Sequence, residues 1–301
     1  MCKSSQVSRW ILLVSLCAAV ALRSPAARAQ DPAHPPAAAP DTQSVPQSVS
    51  SDEINAVPNR PTFSTTAESV QAGVLEVEYG FELADGHQNL NGLVKFGATE
   101  KLELRFLHNP LERDDGVGGM GDSGAGFKYR VMEEKGWRPT ISGLYTLMIP
   151  TATRDELGLG ATGHSVGVLL SRDFGKHHLD WNESAQWLGR PGGSGFDRNY
   201  FSALAYSHPV RGKWSMTAEV AGFSRANAGT PATLTVLGAA AYSASSRRVF
   251  DMGVYVAAYG NLPRTTFFAG VTYSIADLYH HRGKHASATQ AAPSVPGSSK
   301  N

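Results

Sequence analysis

The sequence predicts an all-β protein, an antiparallel transmembrane β-barrel of about 12 strands. Three observations lead to this prediction. Residues Leu75 to Leu83 alternate between apolar residues and acidic residues or glycine, which is typical of a strand with one apolar and one polar face. Such segments of roughly ten residues recur nearly to the end of the chain. Tight turns and longer polar loops alternate between them, as they do in outer-membrane barrels.

Composition argues against other classes of protein. The 301 residues include 27 Lys and Arg against 26 Asp and Glu, a net charge of +1, so nothing indicates a nucleic-acid partner. The mean hydropathy is −0.22, and the apolar run Trp10 to Leu22 is too short for a spanning helix. Hydropathy does not detect a β-barrel of alternating strands, because half of the residues in each strand are polar.

The chain begins with a predicted signal peptide, residues 1–29. A basic end, the apolar stretch Trp10 to Leu22 and the small-residue cleavage site at Ala27-Arg28-Ala29 indicate it. Both cysteines, Cys2 and Cys17, lie in this segment. We therefore expect an exported chain without disulfides, thiolate catalysis or cysteine metal sites.

Two further segments are predicted to lie outside the barrel. Residues 30–58 are rich in Pro, Ala, Ser and Gln, which predicts a disordered arm without its own core. The arm is either a tether, a plug that enters the barrel, or a link to a periplasmic partner. Residues 282–301 are predicted to form a disordered C-terminal tail, which assigns residues 59–281 to the barrel.

Alternation and the turn residues that bound each segment predict the strands. Tight turns follow the second, fourth, sixth, eighth and tenth strands, and longer loops follow the third, fifth, seventh and ninth. Short turns of outer-membrane barrels face the periplasm, so both termini are predicted to lie there. The predicted strands are Val74 to Ala84, Leu90 to Ala98, Leu102 to His108, Asp122 to Met132, Trp137 to Ile149, Ser165 to Arg172, His178 to Leu188, Tyr200 to His208, Trp214 to Phe223, Thr233 to Ser243, Phe250 to Tyr259 and Thr265 to Ile275.

Aromatic residues on the apolar faces are predicted to form two girdles at the membrane interfaces, where such rings prefer to lie. The periplasmic girdle comprises Trp137, Trp214, Tyr242, Phe250 and Tyr273, and the outer girdle comprises Phe81, Phe127, Trp187 and Phe267. Glu183 departs from this pattern because it shares the lipid-facing phase of its strand with Trp181. A β-bulge, a protonated or subunit-contacting carboxyl, or a register error would explain it.

The polar phase predicts the residues that line the lumen. Its charges suggest a salt-bridged interior and a candidate constriction, or they only solvate the wall. Aromatic residues of the later strands suggest a path for an aromatic ring, or packing that closes the barrel. The predicted lumen charges are Glu76, Glu78, Glu82, Lys95, Glu103, Arg105, Lys128 and Arg130; the predicted solute-path aromatics are Tyr200, Tyr206, Phe223, Tyr255, Tyr259 and Phe268.

Several stretches match motifs of soluble enzymes, but the predicted structure around each one is not the structure that the motif requires. Gly163-His164-Ser165-Val166-Gly167 fits the G-x-S-x-G elbow of hydrolases, but a strand is predicted where the helix should follow. Two glycine-rich stretches, 116–121 and 158–163, match G-x-G-x-x-G without opening a helix in a βαβ unit. The pairs His177-His178 and His280-His281 are interpreted as solvated or lumenal residues, so we expect no metal site, no cofactor and no catalytic residue.

Two stretches, Asn59 to Ser64 and Glu68 to Gly80, resemble the opening of the transporter family named for the MetA-pathway of phenol degradation. A second match runs from Gly119-Met120-Gly121-Asp122 to Ile149-Pro150-Thr151. The resemblance covers Asn59 to Ile275. It implies a Gram-negative outer-membrane barrel linked to uptake of aromatic or other hydrophobic compounds.

The chain also departs from that family. Gln71 stands in place of the usual proline, and Ala152 in place of the glycine after Pro-Thr. The last strand ends at Ile275 with a tail instead of a terminal aromatic residue. The barrel-insertion machinery would then have to recognise Tyr273 or an internal signal.

These observations predict a passive outer-membrane channel for small hydrophobic or aromatic solutes. Its expected partners are outer-membrane lipid, the solute and the barrel-insertion machinery. The alternative is a structural or adhesive barrel with a sealed lumen, whose function lies in its loops. An outer-membrane hydrolase would need Ser165 or Ser184 beside His164 or His178.

Overall fold

The computed structural model describes residues 53–228, 231–260 and 265–279. In this part of the chain, all twelve predicted strands are present, and a short thirteenth strand, β4, extends one hairpin. The strands are β1 (Val74–Ala84), β2 (His87–Gly97), β3 (Leu102–Asp114), β4 (Val117–Gly119), β5 (Ser123–Met132), β6 (Thr140–Ile149), β7 (Gly163–Phe174), β8 (His177–Gly189), β9 (Phe196–Arg211), β10 (Trp214–Phe223), β11 (Thr233–Ser245), β12 (Arg248–Tyr259) and β13 (Thr265–Asp277).

The twelve longer strands close into one antiparallel barrel. Each strand pairs with its neighbours in the chain, β3 pairs with β5 past the short β4, and β1 pairs with both β2 and β13. Closure leaves no open sheet edge, which satisfies the backbone hydrogen-bonding groups of every wall strand. The predicted fold class is therefore confirmed.

Turns at one end of the barrel are short. Residues 175–176, 212–213 and 246–247 form two-residue connections, and Gly175 and Gly212 adopt the positive φ values of 65° and 58° that such turns require. The chain enters β1 and leaves β13 at this same end. We call it the periplasmic end, following the usual orientation of outer-membrane barrels.

Most connections at the opposite, outer end are longer, although residues 85–86 join β1 to β2 there. Residues 150–162 connect β6 to β7 and include a 3-10 turn at Asp155–Leu157. Asp122 organises this loop: its carboxylate accepts hydrogen bonds from the backbone N–H groups of Thr151, Ala152 and Leu159.

The outside of the barrel is apolar. Outward positions carry exposed residues such as Val168, Val220 and Val236 in the middle of their strands. The predicted girdle residues within strands occupy the same outer face; for example, Trp214 and Tyr242 are paired across β10 and β11 with their ring centroids 5.0 Å apart. Trp137 instead lies exposed in the turn between Lys135 and Arg138, before β6 begins. Within the described ranges, no helix is long and apolar enough to cross a membrane.

Glu183 does lie on the outer face, as its phase indicated. Pairing of β8 with β7 and β9 runs without a register shift at this position, so neither a bulge nor a register error explains it. Its carboxylate accepts hydrogen bonds from the indole N–H of Trp181 (3.0 Å) and the hydroxyl of Ser202 (2.6 Å). These donors lower the cost of placing a carboxyl group on the lipid side.

Residues 54–73 do not join the wall. They lie inside the barrel, between the periplasmic turn at Ser246 and the middle of β10 at Glu219, and we call them the lumen segment. Its side chains Ile54, Ala67 and Val70 are buried. The lumen segment belongs to the same compact unit as the barrel, which begins at Ile54.

Several predicted features lie outside the described residues. These are the signal peptide, the first part of the arm to residue 52, the C-terminal tail and the His280-His281 pair. Residues 54–58, the end of the predicted arm, are part of the lumen segment. This placement agrees, for these residues, with the alternative in which the arm enters the barrel as a plug.

Candidate functional site: the lumen

Carboxylates on two sides of the barrel hold the backbone of the lumen segment. On β1, Glu76 accepts a hydrogen bond from the N–H of Val57 and Glu78 accepts one from Asn59, both at 3.0 Å. On β10, Glu219 accepts the N–H groups of residues 63 and 64 at 2.8 and 2.7 Å. Hydrogen bonds from neutral N–H groups to ionised carboxylates are stronger than neutral ones, so each contact fixes the segment firmly.

Lys95 completes the cluster on β1 and β2. Its ammonium lies 2.6 Å from Glu76 and also contacts Glu78, and it donates to the carbonyl of Val57 at 2.5 Å. Lys95 is fully buried. A buried cation between two carboxylates is stable only when its hydrogen bonds are satisfied, and here the lumen segment supplies one of the acceptors.

A second charged cluster lies on β3 and β5. Glu103 pairs with Arg105 (3.0 Å) and Lys128 (3.4 Å) and accepts the N–H of Val70 at 3.0 Å. Lys128 donates to the carbonyl of Thr66 at 3.1 Å and also to that of the next residue but one. Both clusters therefore bind wall and lumen segment at once.

Arg60 extends along the lumen wall from β1 across β13 to β12. Its guanidinium pairs with Asp251 on β12 at 3.1 Å and lies 5.8 Å from the ring centroid of Phe268. It passes directly over Gly80 and Gly270, where a Cβ atom would come within 1.9 and 2.2 Å of the guanidinium. A side chain at either position would occupy the space of the guanidinium, so the groove requires glycine at both.

Uncharged polar residues hold the rest of the lumen segment. Asn182 both accepts the N–H of Thr65 (2.7 Å) and donates to its carbonyl (2.9 Å). The hydroxyl of Ser171 accepts the N–H of Ala67 at 2.7 Å, and the hydroxyl of Ser142 donates to the Ala67 carbonyl at 2.6 Å. The lumen segment thus contacts β1, β2, β3, β5, β6, β7, β8, β10 and β12.

An aromatic patch forms the apolar part of the lumen wall. Phe63 of the lumen segment packs against Tyr255 with ring centroids 5.0 Å apart, and Tyr255 lies 6.3 Å from Phe268. Phe201 and Phe223 form a second pair at 4.7 Å, to which Phe63 also packs. The patch is thus continuous across β9, β10, β12 and β13.

The structure places the predicted lumen charges on inward positions. Seven of them belong to the clusters above or bind the lumen segment directly, Arg130 through an ion pair with Glu68 at 3.0 Å. Glu82 is the exception: it binds Asn91 (2.9 Å) and Tyr255 (3.2 Å) instead. The predicted charges therefore mainly bind the lumen segment and are not an open ring.

The predicted aromatic wall needs a correction. Tyr200 and Tyr206 face outward, because they pair across β8 and β9 with the outward Ala185 and Leu179. They are 53% and 41% exposed. Phe201 lies inward in their place. Phe223, Tyr255 and Phe268 lie inward as predicted, and Tyr259 lies exposed at the outer end of β12.

Sequence reasoning missed several lumen residues. Glu219, Asp251 and Asn182 each make two hydrogen bonds with the lumen segment. Each occupies the polar phase of its strand. The alternation that selected the charges of β1 to β5 would have found them in the later strands as well.

Residues of the enzyme-like motif are separated by the wall. Ser165 faces inward within β7, opposite Gln186, whereas the preceding His164 lies on the outer face opposite Trp187. Strand continues on both sides of Ser165. Within the described residues, no group of three or more His, Cys, Asp or Glu side chains is arranged to hold a metal ion.

Comparison with solved structures identifies barrels of the same fold. An outer-membrane channel from Pseudomonas putida F1 is similar over 69% of this chain and 97% of its own, with a TM-score of 0.53 and 16% identity. The porin NanC is similar over 67% of this chain and 100% of its own, with a TM-score of 0.52 and 10% identity. No family model and no curated protein matches the sequence. With its apolar outer face, the barrel is a protein of the outer membrane.

Proposed function

We propose that the protein is a passive outer-membrane channel for small hydrophobic or aromatic compounds, narrowed at its periplasmic end by the lumen segment. The aromatic patch around Phe63 carries this proposal. Its half-buried rings Phe63, Phe223 and Tyr255 pack against the buried Phe201 and Phe268 and provide apolar surface inside a lumen whose other residues are mostly polar. Flat rings stack favourably on aromatic side chains, so such a patch would retain aromatic solutes in preference to polar ones.

The fold supports the channel role. The similar barrels include one named as a channel and one named as a porin. A barrel of about twelve strands has a bore between the filled interior of eight strands and the aqueous channel of sixteen. A segment folded into such a bore narrows the path.

A second candidate function is a structural or adhesive barrel with a sealed lumen. The hydrogen bonds that join the lumen segment to nine wall strands favour it, because they close the periplasmic end firmly. The outer loops, such as residues 150–162, would then carry the function.

Conductance of the purified barrel in planar lipid bilayers separates the two functions. We expect small but measurable conductance for the full chain and a larger one for a variant that lacks residues 54–72. The absence of conductance and of solute uptake in both proteins would reject the channel and favour the sealed barrel.

Uptake of radiolabelled phenol by cells that express the barrel tests the solute class. Phe223→Ala and Tyr255→Ala remove inward rings, and we expect both to reduce the uptake rate. Phe267→Ala is the matched control, because it removes an outward ring next to the inward Phe268. Equal uptake by all three variants and the wild type would reject the aromatic path.

A further inference from the structure

We propose that a groove on the outer face of β8 and β9 binds the phosphate group of an outer-leaflet lipid, with Arg198 as the ligand. The groove has a volume of about 270 Å³ and is lined by Ala185, Gln186, Trp187, Arg198 and Tyr200. This site is separate from the lumen and does not depend on the channel function.

The strand register places the groove on the membrane side of the wall. Trp187 pairs with Arg198, and Ala185 pairs with Tyr200. These residues share the phase of the outward Trp181, whereas Asn182 on the other phase binds the lumen segment. Arg198 therefore projects from the barrel toward lipid.

The depth of the groove matches the lipid headgroups. Trp187 belongs to the outer aromatic girdle, and β8 ends two residues later, at Gly189. Tryptophan and tyrosine rings lie at the headgroup level of a membrane, with the apolar ring toward the chains and the polar atom toward water. Trp187 and Tyr200 thus place the Arg198 guanidinium near headgroup phosphates.

Arg198 makes no hydrogen bond or ion pair with any residue that the structure describes. Neighbouring charges are already engaged elsewhere: Asp197 pairs with Arg190 at 2.6 Å, and Glu183 accepts from Trp181 and Ser202 deeper in the wall. A guanidinium presents five donors in a planar fork that matches the oxygens of a phosphate. An unpaired arginine at this depth is therefore suited to an anionic headgroup.

The apolar floor of the groove favours a lipid over free phosphate. Ala185 and the rings of Trp187 and Tyr200 line the groove beside Arg198 with apolar surface. A row of outward rings continues beside it, because His164 packs against Phe196 at 5.7 Å and against Tyr145 at 6.2 Å. Acyl chains or sugar rings attached to the phosphate would cover this surface, which an isolated ion would leave exposed.

Native mass spectrometry of the folded, detergent-purified barrel tests the proposal with diphosphoryl lipid A as the probe. We expect one lipid to remain bound to the wild type and Arg198→Gln to weaken its retention about tenfold, the loss expected for a hydrogen-bonded charge pair. Arg248→Gln is the matched control, because Arg248 stacks on the outward Tyr273 at the periplasmic end with a 4.6 Å separation. This control should bind as the wild type does.

Two further arms separate the sources of the phosphate. Dephosphorylated lipid A should bind the wild type as weakly as the intact lipid binds Arg198→Gln. Inorganic phosphate at millimolar concentration should not displace the lipid; full displacement would identify a site for small anions only. Equal retention of diphosphoryl lipid A by the wild type and a correctly folded Arg198→Gln barrel would overturn the proposal.

Discussion

Arg60 connects the lumen segment to Asp251 on β12 through space that Gly80 and Gly270 leave free. A side chain at position 80 would occupy the volume of the guanidinium, and the nearest atoms it would meet belong to Arg60 alone. Since the arginine side chain is flexible, we expect it to leave the groove while the barrel wall remains intact. A substitution at Gly80 can therefore break the contact between Arg60 and Asp251 while Arg60 itself is retained.

We predict that Gly80→Val releases Arg60 from Asp251 and loosens the lumen segment. Limited trypsin digestion should then cut within the segment faster than in the wild type, and conductance should rise. Gly238→Val provides the control, since no atom lies within 4 Å of a Cβ at that position. Unchanged digestion of Gly80→Val would mean that the other hydrogen bonds suffice to hold the segment.

Lys95 is the cation on which two buried carboxylates depend. We predict that Lys95→Met lowers the free energy of unfolding by about 3–5 kcal/mol, because Glu76 and Glu78 lose their buried counter-charge. Urea titration of the barrel in lipid vesicles measures this change. Lys101→Met in an exposed turn should have almost no effect, and a similarly small loss for Lys95→Met would show that water reaches the cluster.

The wall strands could be predicted from the sequence, whereas the lumen segment could not. Each wall strand has one face toward lipid and one toward the lumen. Apolar and polar residues therefore alternate along its sequence with a period of two. The lumen segment is bound largely through its backbone N–H and C=O groups, as with Val57 and Ala67. Such contacts place few demands on side chains, so residues 54–58 were predicted with the Pro-rich disordered arm and residues 59–73 with the barrel.

Strand β9 shows where the period fails. Aromatic residues occupy both phases, with Tyr200 outward and Phe201 inward, so polarity alone does not distinguish the two faces. Pairing with β8 decides the phase, since Trp187 and Trp181 are fixed on the lipid side. The same ambiguity does not arise in β1, where the inward phase carries Glu76 and Glu78.

The loop at residues 150–162 depends on a carboxylate outside it. We predict that Asp122→Ala loosens this loop, because three backbone N–H groups lose their acceptor. Hydrogen–deuterium exchange should increase at Thr151, Ala152 and Leu159 while the wall strands stay protected. Asp155→Ala within the loop is the control, and equal exchange in both variants would show that Asp122 does not order the loop.

The two faces of the barrel wall lie in opposite environments, lipid on the outside and the polar lumen on the inside. The lipid side selects apolar residues by transfer free energy, and the lumen side selects charged residues that are paired through the lumen segment. The interior at the periplasmic end consequently resembles a polar core and not a water-filled pore. A charge placed inside can find a partner there, whereas the outer face offers few polar groups besides those that bind Glu183.

A charge on the outer face should therefore destabilise the barrel according to its depth. Val220 lies outward near the middle of β10, and we predict that Val220→Arg costs about 2–4 kcal/mol of folding free energy in a bilayer. Val210→Arg, near the periplasmic turn, should cost only about 0–1 kcal/mol because the side chain reaches the interface. Reversible urea unfolding in vesicles, followed by the faster gel migration of the unboiled barrel, measures both. Equal costs at the two positions would contradict a membrane-spanning wall, since a barrel surrounded by water has no depth on which the penalty could depend.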